Sequence, residues 1–494
     1  MTGFAEQCGV HDTARQAALQ RSARLIEASG VELVRFAWCD LHGMLRGKTL
    51  VASAAIKAMM SGVGMVSTLL LKDSADRTAY KVFDADSALE LPGFEFAGNV
   101  MLLADPASYQ QLPWASKTGW MQCQAWHTNS DPVVFDTRRV LEAALARLTD
   151  AGYCMTCGLE VEFHIYKIVG DCANQQLDPM QAAWPGLAPQ VSMIHPGFHM
   201  LSEQWADMAD EPLRIVQHTA QALGLPLLSL EIELGPSQVE AVFEPTDALK
   251  AADNMVLFRS AIKQALRRAG YHASFMCRPP FPNIMSSGWH LHQSLTDLKT
   301  GINLFMRDSP ELGSNAQRAG YTLSEVGQRF LAGLLTHAQA SSPFCTATIN
   351  GYDRFRPQSL APQSAVWGHD NRGAMLRVIG GQNDSATRIE NRFGEPAANP
   401  YLYLASQIHA GMDGLRARMQ APKATDAPYA TSEARLPGSL GKALEMLNKD
   451  QAFCADFGIN FIRYFTHVKA SEVARYEQAE DKAEWQRREY FSRI

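Results

Sequence analysis

Long apolar runs are absent from this 494-residue sequence. None approaches the roughly 18 residues that a membrane span needs, which excludes a helical membrane protein. The opening MTGFAEQCGVHD has no apolar signal core, so export is not expected. Long runs of one charge sign are absent as well. Lys and Arg number 45 and Asp and Glu 51, for a net charge of −6. A nucleic-acid partner gripped through bulk charge is thereby excluded. Cysteine is sparse: nine residues, an odd number, scattered over the whole length. That is no disulfide framework, and a reducing cytoplasm is the expected compartment. Cys154 and Cys157 have redox or zinc spacing, yet no second such pair exists, so buried thiols are the expectation. There is no GxxxxGKS/T loop, no GxGxxG after a strand and no GxSxG elbow. Any nucleotide must be held by metals and arginines instead.

What is present is a composition of 46% hydrophobic and 19% charged residues, which fits a globular protein of two to four domains. Residues 1–29 read as a tail and a helix that stops at Gly30. The stretch VELVRFAWCDLHGMLRGKTL alternates apolar and polar residues around Asp40-Leu41-His42-Gly43, as a strand, turn and strand do. From Val31 to about Gln122 the chain reads as a small sheet-rich domain. Asp136 caps a helix with an apolar stripe of Val140, Leu141, Ala144, Leu145 and Leu148, ending near Gly152. Glu211-Pro212 opens another, stopped by Gly224 and Pro226. Helical patterns follow from about Asp247 to Arg268, and around 324–340, 400–418 and 440–448. A β-rich domain followed by a larger α+β domain is the coarse expectation.

The informative feature is a recurring polar doublet on strands. In GLEVEFHIY, Leu159, Val161, Phe163 and Ile165 fall on one face, and Glu160, Glu162, His164 and Tyr166 on the other. In LSLEIEL, Glu231 and Glu233 share a face opposite Leu230, Ile232 and Leu234. In WHLHQSL, His290, His292 and Ser294 share one; in RIENR, Arg388, Glu390 and Arg392 do. Any single doublet could be a solvated sheet face. Together they collect carboxylates, imidazoles and guanidiniums over an apolar core, and such carboxylates need compensating cations. Oxygen ligands with one or two histidines suit Mg²⁺ or Mn²⁺. The turn Gly235-Pro236-Ser237 can bring Glu233 and Glu240 near one ion. Arg354 and Arg356 in NGYDRFRPQSLAP, and Arg372 and Arg377 in WGHDNRGAMLRV, suit carboxylate or phosphate recognition.

These segments resemble the glutamine synthetase family from about Val31 onward. The blocks VRFAWCDLHGMLRGK, GLEVEF, PSQVE, SSGWHLHQSL, NGYDRFRPQSLAP, DNRGAMLR, RIENRFGEPAANPYL and LPGSLGKAL occur in family-like order. The resemblance implies an α+β fold: an N-terminal β-grasp domain at 30–125, and a catalytic domain at 126–494 with a curved antiparallel sheet flanked by helices. It implies ATP as substrate, two to three Mg²⁺ or Mn²⁺ ions per site, and sites between neighbouring subunits of a ring, with a dodecamer of two stacked hexamers expected. Carried over by position, Glu162, Glu233 and Glu240 resemble one metal site, and Glu160, His290 and Glu390 a second. Arg354 and Arg392 resemble glutamate contacts, joined by Glu162, Ser286 and His290. Arg372, Arg377 and Arg388 resemble phosphate ligands, and His292 and Ser294 ATP-side contacts.

The chain departs from the family pattern where the family handles ammonium. The flap glutamate before Ala-Pro is Leu360 here. The ammonium-binding aspartate aligns near Val66, and the aromatic near that pocket with Phe198. Met285-Ser286 replaces the usual Asn-Gly, and Trp289 a methionine. The first three changes replace groups suited to a small cation with apolar ones. An ammonium ion in an apolar pocket is costly, whereas an uncharged amine favours one. The expected reaction is ATP-dependent joining of the glutamate γ-carboxylate to an organic amine through γ-glutamyl phosphate. An aromatic amine such as aniline ranks first, because it arrives neutral at pH 7. Alkylamines rank next and polyamines lower. The rivals are an ammonia-using glutamine synthetase, a non-catalytic ring protein, and a carboxylate-pair glycosidase, which leaves the arginines unexplained.

Overall fold

Two sheets organise the computed structural model, which describes residues 3–83, 93–169, 182–307, 323–356, 359–430 and 434–494. The first begins with the expected hairpin, β1 (Leu33–Cys39) and β2 (Leu45–Val51), paired antiparallel. Its turn is built by Asp40, whose carboxylate accepts from the backbone N–H groups of His42 (2.9 Å) and Met44 (3.0 Å). Arg46 Nε reaches the same carboxylate at 2.6 Å. The sheet is completed by β3 (Val63–Val66), β4 (Asn99–Ala104), β5 (Gln110–Gln111) and β6 (Thr118–His127), in the order β2-β1-β6-β4-β3 with β5 on β6. β6 thus runs two residues past position 125.

The second sheet has nine strands. They are β7 (Tyr153–Ile168), β8 (Val191–Met193), β9 (Leu227–Ile232), β10 (Gln238–Asp247), β11 (Tyr271–Ser274), β12 (Trp289–Asp297), β13 (Trp367–His369), β14 (Leu376–Ile379) and β15 (Arg388–Gly394). The order is β13-β14-β15-β12-β7-β10-β9, with β8 and β11 also on β7. All pairs are antiparallel except β13 with β14. One face of β7 carries the predicted apolar row: Leu159, Val161, Phe163 and Ile165 are buried. Phe163 stacks on Phe275 at 4.9 Å and meets Phe258 of the helix Ala248–Arg268 edge-on. That helix is the longest expected one, and Asp247 caps it by accepting from Lys250 N. Asp136 likewise caps Thr137–Asp150. No helix among the described residues is long and apolar enough to cross a membrane.

Three expectations need correction. Leu234 was placed with the core face of its strand, but β9 ends at Ile232 and Leu234 is exposed. His164 and Tyr166 continue the polar face of β7 in register only. Both are buried, with parallel rings, and Tyr166 packs against Phe281 and Phe491. Beyond residue 448, helices Gln451–Phe457, Ile459–Gln478 and Lys482–Gln486 follow that the periodicity did not reveal. The second of these buries a charged pair, Lys469 with Glu472, among its aromatic residues.

Behind the second sheet, four helices meet at one imidazole. His337 lies between helices Glu325–Thr336 and Ala338–Cys345. Its Nε2 is 2.9 Å from Asp413 on helix Pro400–Arg416, and its Nδ1 is 2.6 Å from Asp450, the cap of Gln451–Phe457. Burial alone would lower the His337 pKa; the two carboxylates outweigh it and hold it above its ordinary value. Burial would raise Asp413 and Asp450, but hydrogen bonds from His337 bring both below the ordinary range. The stabilisation is full below the unfolded histidine pKa of about 6.5 and is lost as pH rises through the folded one. On the acid side it is lost as the carboxylates protonate. Replacing His337 with Ala should leave two facing carboxylates and cost about 3 kcal/mol. Thermal unfolding across pH 5–9 should show a lower midpoint in H337A and no decline assignable to this imidazole. Equal pH slopes in the two proteins would refute the assignment.

Candidate active site

Strand register brings the polar doublets together. Directly opposed residues in an antiparallel ladder share a face. Glu162 of β7 opposes Glu240 of β10, and Glu160 opposes His290 of β12. His292 opposes Glu390 of β15, which opposes Arg377 of β14. A single row of acidic, imidazole and guanidinium groups therefore crosses five strands. Among the described residues, two triads of ligand atoms lie within 4.8 Å of one another: Glu160, Glu240 and His290, and Glu160, His292 and Glu390. This grouping cuts across the partition expected from the family pattern. Glu162 and Glu233 stand outside both triads, and His292, expected on the ATP side, enters one.

His290 is the hub. Its Nδ1 lies 3.3 Å from Glu160, 3.8 Å from Glu240 and 4.0 Å from Glu390, and its Nε2 3.9 Å from Glu162. His292 Nε2 is 2.9 Å from Glu160. Glu240 Oε1 and His290 Nε2 are buried without a hydrogen-bond partner. Buried polar atoms are normally satisfied, so orphaned acceptors aimed at a carboxylate cluster fit cation ligands. The electrostatics point the same way. Burial, and then the charge of Glu162, push the pKa values of both Glu233 and Glu240 upward. Burial and Arg392 push His290 down. Glu160 and Glu390 go the other way: burial would raise them, but hydrogen bonds from His290 and His292 outweigh it at Glu160, and His290, Arg392 and neighbouring basic groups outweigh it at Glu390.

Glu233 is placed by a turn, whereas Glu162 lies in the β7 ladder. The chain reverses through Gly235-Pro236-Ser237, closed by Glu233 N–H to the carbonyl of Gln238 at 3.0 Å. Gly197 packs on this turn so closely that a Cβ would lie 2.4 Å from Pro236 N, and its φ is +74°. Gln238, whose role the sequence did not reveal, donates to Glu162 at 3.1 Å, and Gly288 N–H donates to the same oxygen at 2.8 Å. Gly288 serves a second purpose, since a Cβ there would lie 2.4 Å from Arg354 Nη2. Arg354 is buried, and its Nη1 donates to the carbonyls of Arg392 and Gly394, both at 3.0 Å.

The other arginines divide. Arg392 pairs with Glu390 and donates through Nε to the carbonyl of Arg372 at 3.0 Å. Arg377 bridges Glu390 at 2.9 Å and Asp370, a partner that the sequence reading missed. Arg388 Nε donates to His292 Nδ1 at 3.0 Å. Arg372 and Arg356 are exposed. A cavity of about 350 Å³ opens beside Glu160, His292, Ser294 and Arg388, walled on the other side by Leu228, Phe243 and Pro245. Ser286 Oγ accepts from Arg278 at 3.0 Å. Trp289 points away from the row and packs edge-on to Tyr403 in the core. Cys157 is buried and Cys154 half-buried, one on each face of β7; both are free thiols.

Val66, Phe198 and Leu360 all expose their side chains. Val66 ends β3 in the first sheet, while the other two sit in loops beside the second. Leu360 has φ +56°, and the preceding Ser359 Oγ donates to the carbonyl of Arg354 at 3.3 Å. Phe198 also has φ +56°, and its N–H bonds the carbonyl of Leu234 beside Glu233 at 2.7 Å. Bulky residues rarely hold positive φ, and such strain gathers at functional loops.

Comparison with known proteins places this geometry. The glutamine synthetase catalytic-domain family model matches residues 134–489. The γ-glutamylanilide synthase of an Acinetobacter species is 37% identical over 94% of each chain. The γ-glutamylethanolamide synthetase GlnA4 of Streptomyces coelicolor is 27% identical over 100% of this chain and 99% of its own. The solved structure of apo GmaS without ligand has a TM-score of 0.74 at 24% identity, covering 94% of this chain and 98% of that one, and so shares its fold. With a family match across most of its length and a ligand row built on the matched strands, this chain belongs to the glutamine synthetase family.

Proposed function

We propose that this ATP-dependent ligase joins the γ-carboxylate of L-glutamate to an uncharged organic amine, with an aromatic amine such as aniline as its first-ranked substrate. The observation that carries the reading is Leu360. It stands where the family has a glutamate, in the loop that leaves the buried Arg354, and it exposes an apolar side chain. The similarity to a γ-glutamylanilide synthase supports the same class of amine.

The chemistry needs two steps. A γ-carboxylate oxygen of glutamate attacks the γ-phosphorus of ATP and ADP leaves. The amine nitrogen then attacks the γ-carbon, phosphate leaves, and the nitrogen loses a proton. Glu160, Glu162, Glu233, Glu240, His290 and Glu390 would hold Mg²⁺ or Mn²⁺, which when bound neutralise the phosphates and polarise the γ-phosphoryl group. Arg354 and Arg392 would orient glutamate; Arg372, Arg377 and Arg388 would receive phosphate oxygens. The cavity by His292, Ser294 and Arg388 has the size and the apolar wall that suit part of a nucleotide. Val66, Phe198 and Leu360 would form the amine side. Val66 lies in the first sheet, which fits a site completed by a neighbouring subunit in stacked hexameric rings. A neutral aromatic amine needs no carboxylate to hold or deprotonate an incoming cation, and it favours these apolar groups.

ADP release with glutamate and a panel of aniline, isopropylamine, ethanolamine, putrescine and ammonium tests the reading. Aniline should give the highest kcat/KM, and ammonium one at least about tenfold lower. Saturation at low ammonium with no stimulation by organic amines would overturn it. Leu360→Glu should lower kcat/KM for aniline by about tenfold or more and raise it for ammonium, because a carboxylate favours a cation over an aromatic ring. Unchanged amine preference would remove Leu360 from the pocket.

The metal assignment has its own test. Without cations, burial and the charge of Glu162 push the Glu240 pKa up to about 10, so folding at pH 8 forces it to take up a proton, and stability there should rise in Glu240→Gln measured in EDTA. Adding Mg²⁺ should raise the thermal midpoint of the wild type well beyond that of the variant, and turnover of the variant should fall by about a hundredfold. Equal Mg²⁺ gains in the two proteins would show that Glu240 is not a ligand.

A further inference from the structure

Glu162 differs from Glu390 in how its carboxylate is held. Glu390 lies between two guanidiniums, those of Arg377 and Arg392, and both carry charge. Glu162 Oε2 instead accepts from two neutral donors, Gly288 N–H at 2.8 Å and Gln238 Nε2 at 3.1 Å. Its Oε1 has His290 Nε2 3.9 Å away, too far for a hydrogen bond, and that nitrogen is buried without a partner. One oxygen is thus committed and the other is left facing the row. Neutral donors fix a carboxylate and favour its charged form without cancelling the charge.

Gln238 is itself held firmly. It is the first residue of β10 and is 2% exposed. Its Oε1 accepts from Gly235 N–H at 2.9 Å, which identifies the oxygen and turns the NH₂ group toward Glu162. Nε2 also meets Ser287 Oγ at 3.1 Å and the Ser286 carbonyl at 3.4 Å. Ser287 Oγ accepts from that amide, so its own proton goes to His164 Nδ1, 3.4 Å away. Ser287 and His164 are both fully buried. The backbone of Gln238 completes the arrangement: its carbonyl accepts from Glu233 N–H at 3.0 Å and lies 3.2 Å from His195 Nε2. Glu240 stands two residues further along the same strand. One residue therefore touches Glu162 through its side chain and Glu233 through its backbone, on the strand that carries Glu240. The space around it is closed, since a Cβ on Gly235 would lie 2.6 Å from Gln238 Oε1.

We propose that Gln238 is a positioning residue for cation binding: its amide commits Glu162 Oε2 and so presents Oε1, with the carboxylate still charged, to the ion. This role rests on the reading that the row holds Mg²⁺ or Mn²⁺; Gln238 itself touches no ion. A lysine or arginine in its place would neutralise Glu162 and remove the demand for a cation. An apolar residue would leave the carboxylate free to rotate, and each binding event would then have to order it.

Binding of Mn²⁺ alone to the full-length protein tests this role, followed by loss of the free-ion EPR signal on titration. Gln238→Met and Gln238→Asn both remove the bond to Glu162, the first by losing the amide and the second by falling a methylene short. Each should weaken Mn²⁺ binding by about tenfold or more. Ser287→Ala spares the bond to Glu162 and should keep nearly the wild-type affinity. In turnover, the Mg²⁺ concentration that gives half the maximal rate should rise in Q238M and Q238N, while kcat at saturating Mg²⁺ recovers toward wild type. A residue needed only for folding would lower the thermal midpoint in EDTA and leave the Mn²⁺ affinity of the folded protein unchanged. That result in both variants would overturn the positioning role. Glu162→Gln distinguishes this failure from a failure of the metal reading. If E162Q loses Mn²⁺ affinity while Q238M and Q238N keep it, the row binds cations and Gln238 does not position them. If the wild type binds no Mn²⁺, or E162Q binds it as tightly as wild type, the metal reading itself falls and the role of Gln238 with it.

Discussion

Like charges cannot be buried side by side without compensation, and the rest of this structure is arranged around that constraint. The polar face of the second sheet carries Glu160, Glu162, Glu240 and Glu390 in neighbouring register positions, with Glu233 just beyond. At one end the chain supplies its own cations. Glu390 is fully buried between Arg377 and Arg392, and its pKa stays low. At the other end it supplies none: Glu233 and Glu240 are pushed up by burial and by Glu162. The row is therefore graded from self-neutralised to cation-demanding. That gradient would let arginines and, as proposed, metal ions share one face without displacing each other.

Register is the device that makes the gradient possible. Side chains alternate with period two, so slipping β7 by one residue would turn Glu160 and Glu162 into the core and Val161 out of it. The apolar face blocks the slip, because Leu159, Val161, Phe163 and Ile165 are locked against Phe258 and Phe275. The packing on one side thus fixes the chemistry on the other. β10 shifts register against β7 and β9 only beyond Val242, outside the row, and one further irregularity separates β12 from β15 between Trp289 and Leu291. It lies where Trp289 turns into the core and Arg354 crosses above Gly288.

How much of this the residues announce depends on whether a property is local. The doublets are local, and alternation alone separates Glu160 and Glu162 from their apolar neighbours. Capping is local too, so Asp136 and Asp247 mark their helices. Which doublets oppose each other is set by strand order, which no short segment encodes. The triads accordingly differ from the partition expected by position. Strand ends are weakly encoded: Leu234 continues the alternation of β9 yet lies past its last paired residue. The helix Ile459–Gln478 escaped because its buried stripe includes Lys469 and Glu472, whose pairing is invisible until the fold brings them to Tyr490 and His42. Asp370 and Gln238 were hidden in the same way, as ordinary polar residues that matter only through what they touch.

The acidic row and the proposed amine side are held by different kinds of structure, and this would have a consequence for selectivity. The row is rigid, with every member fixed by a ladder or a buried ion pair. Leu360 and Phe198 hang on loops at positive φ, each tethered by a neighbouring hydrogen bond to an element that bears a site residue, Arg354 or Glu233. A loop side chain can change without moving the sheet, whereas a change in the row would alter the balance of every charge along it. Under the proposed reading, selection among amines would drift by single substitutions in the loops while phosphoryl chemistry stayed fixed in the strands. The selectivity proposed here works by omission. A glutamate at position 360 would add an uncompensated negative charge beside a face already short of cations, and leucine removes that demand. The acidic face that would call metal ions to Glu233 and Glu240 would by itself also favour a cationic amine, so under the proposed reading it is the apolar loop side chains, with no carboxylate at position 360, that favour an amine arriving without charge.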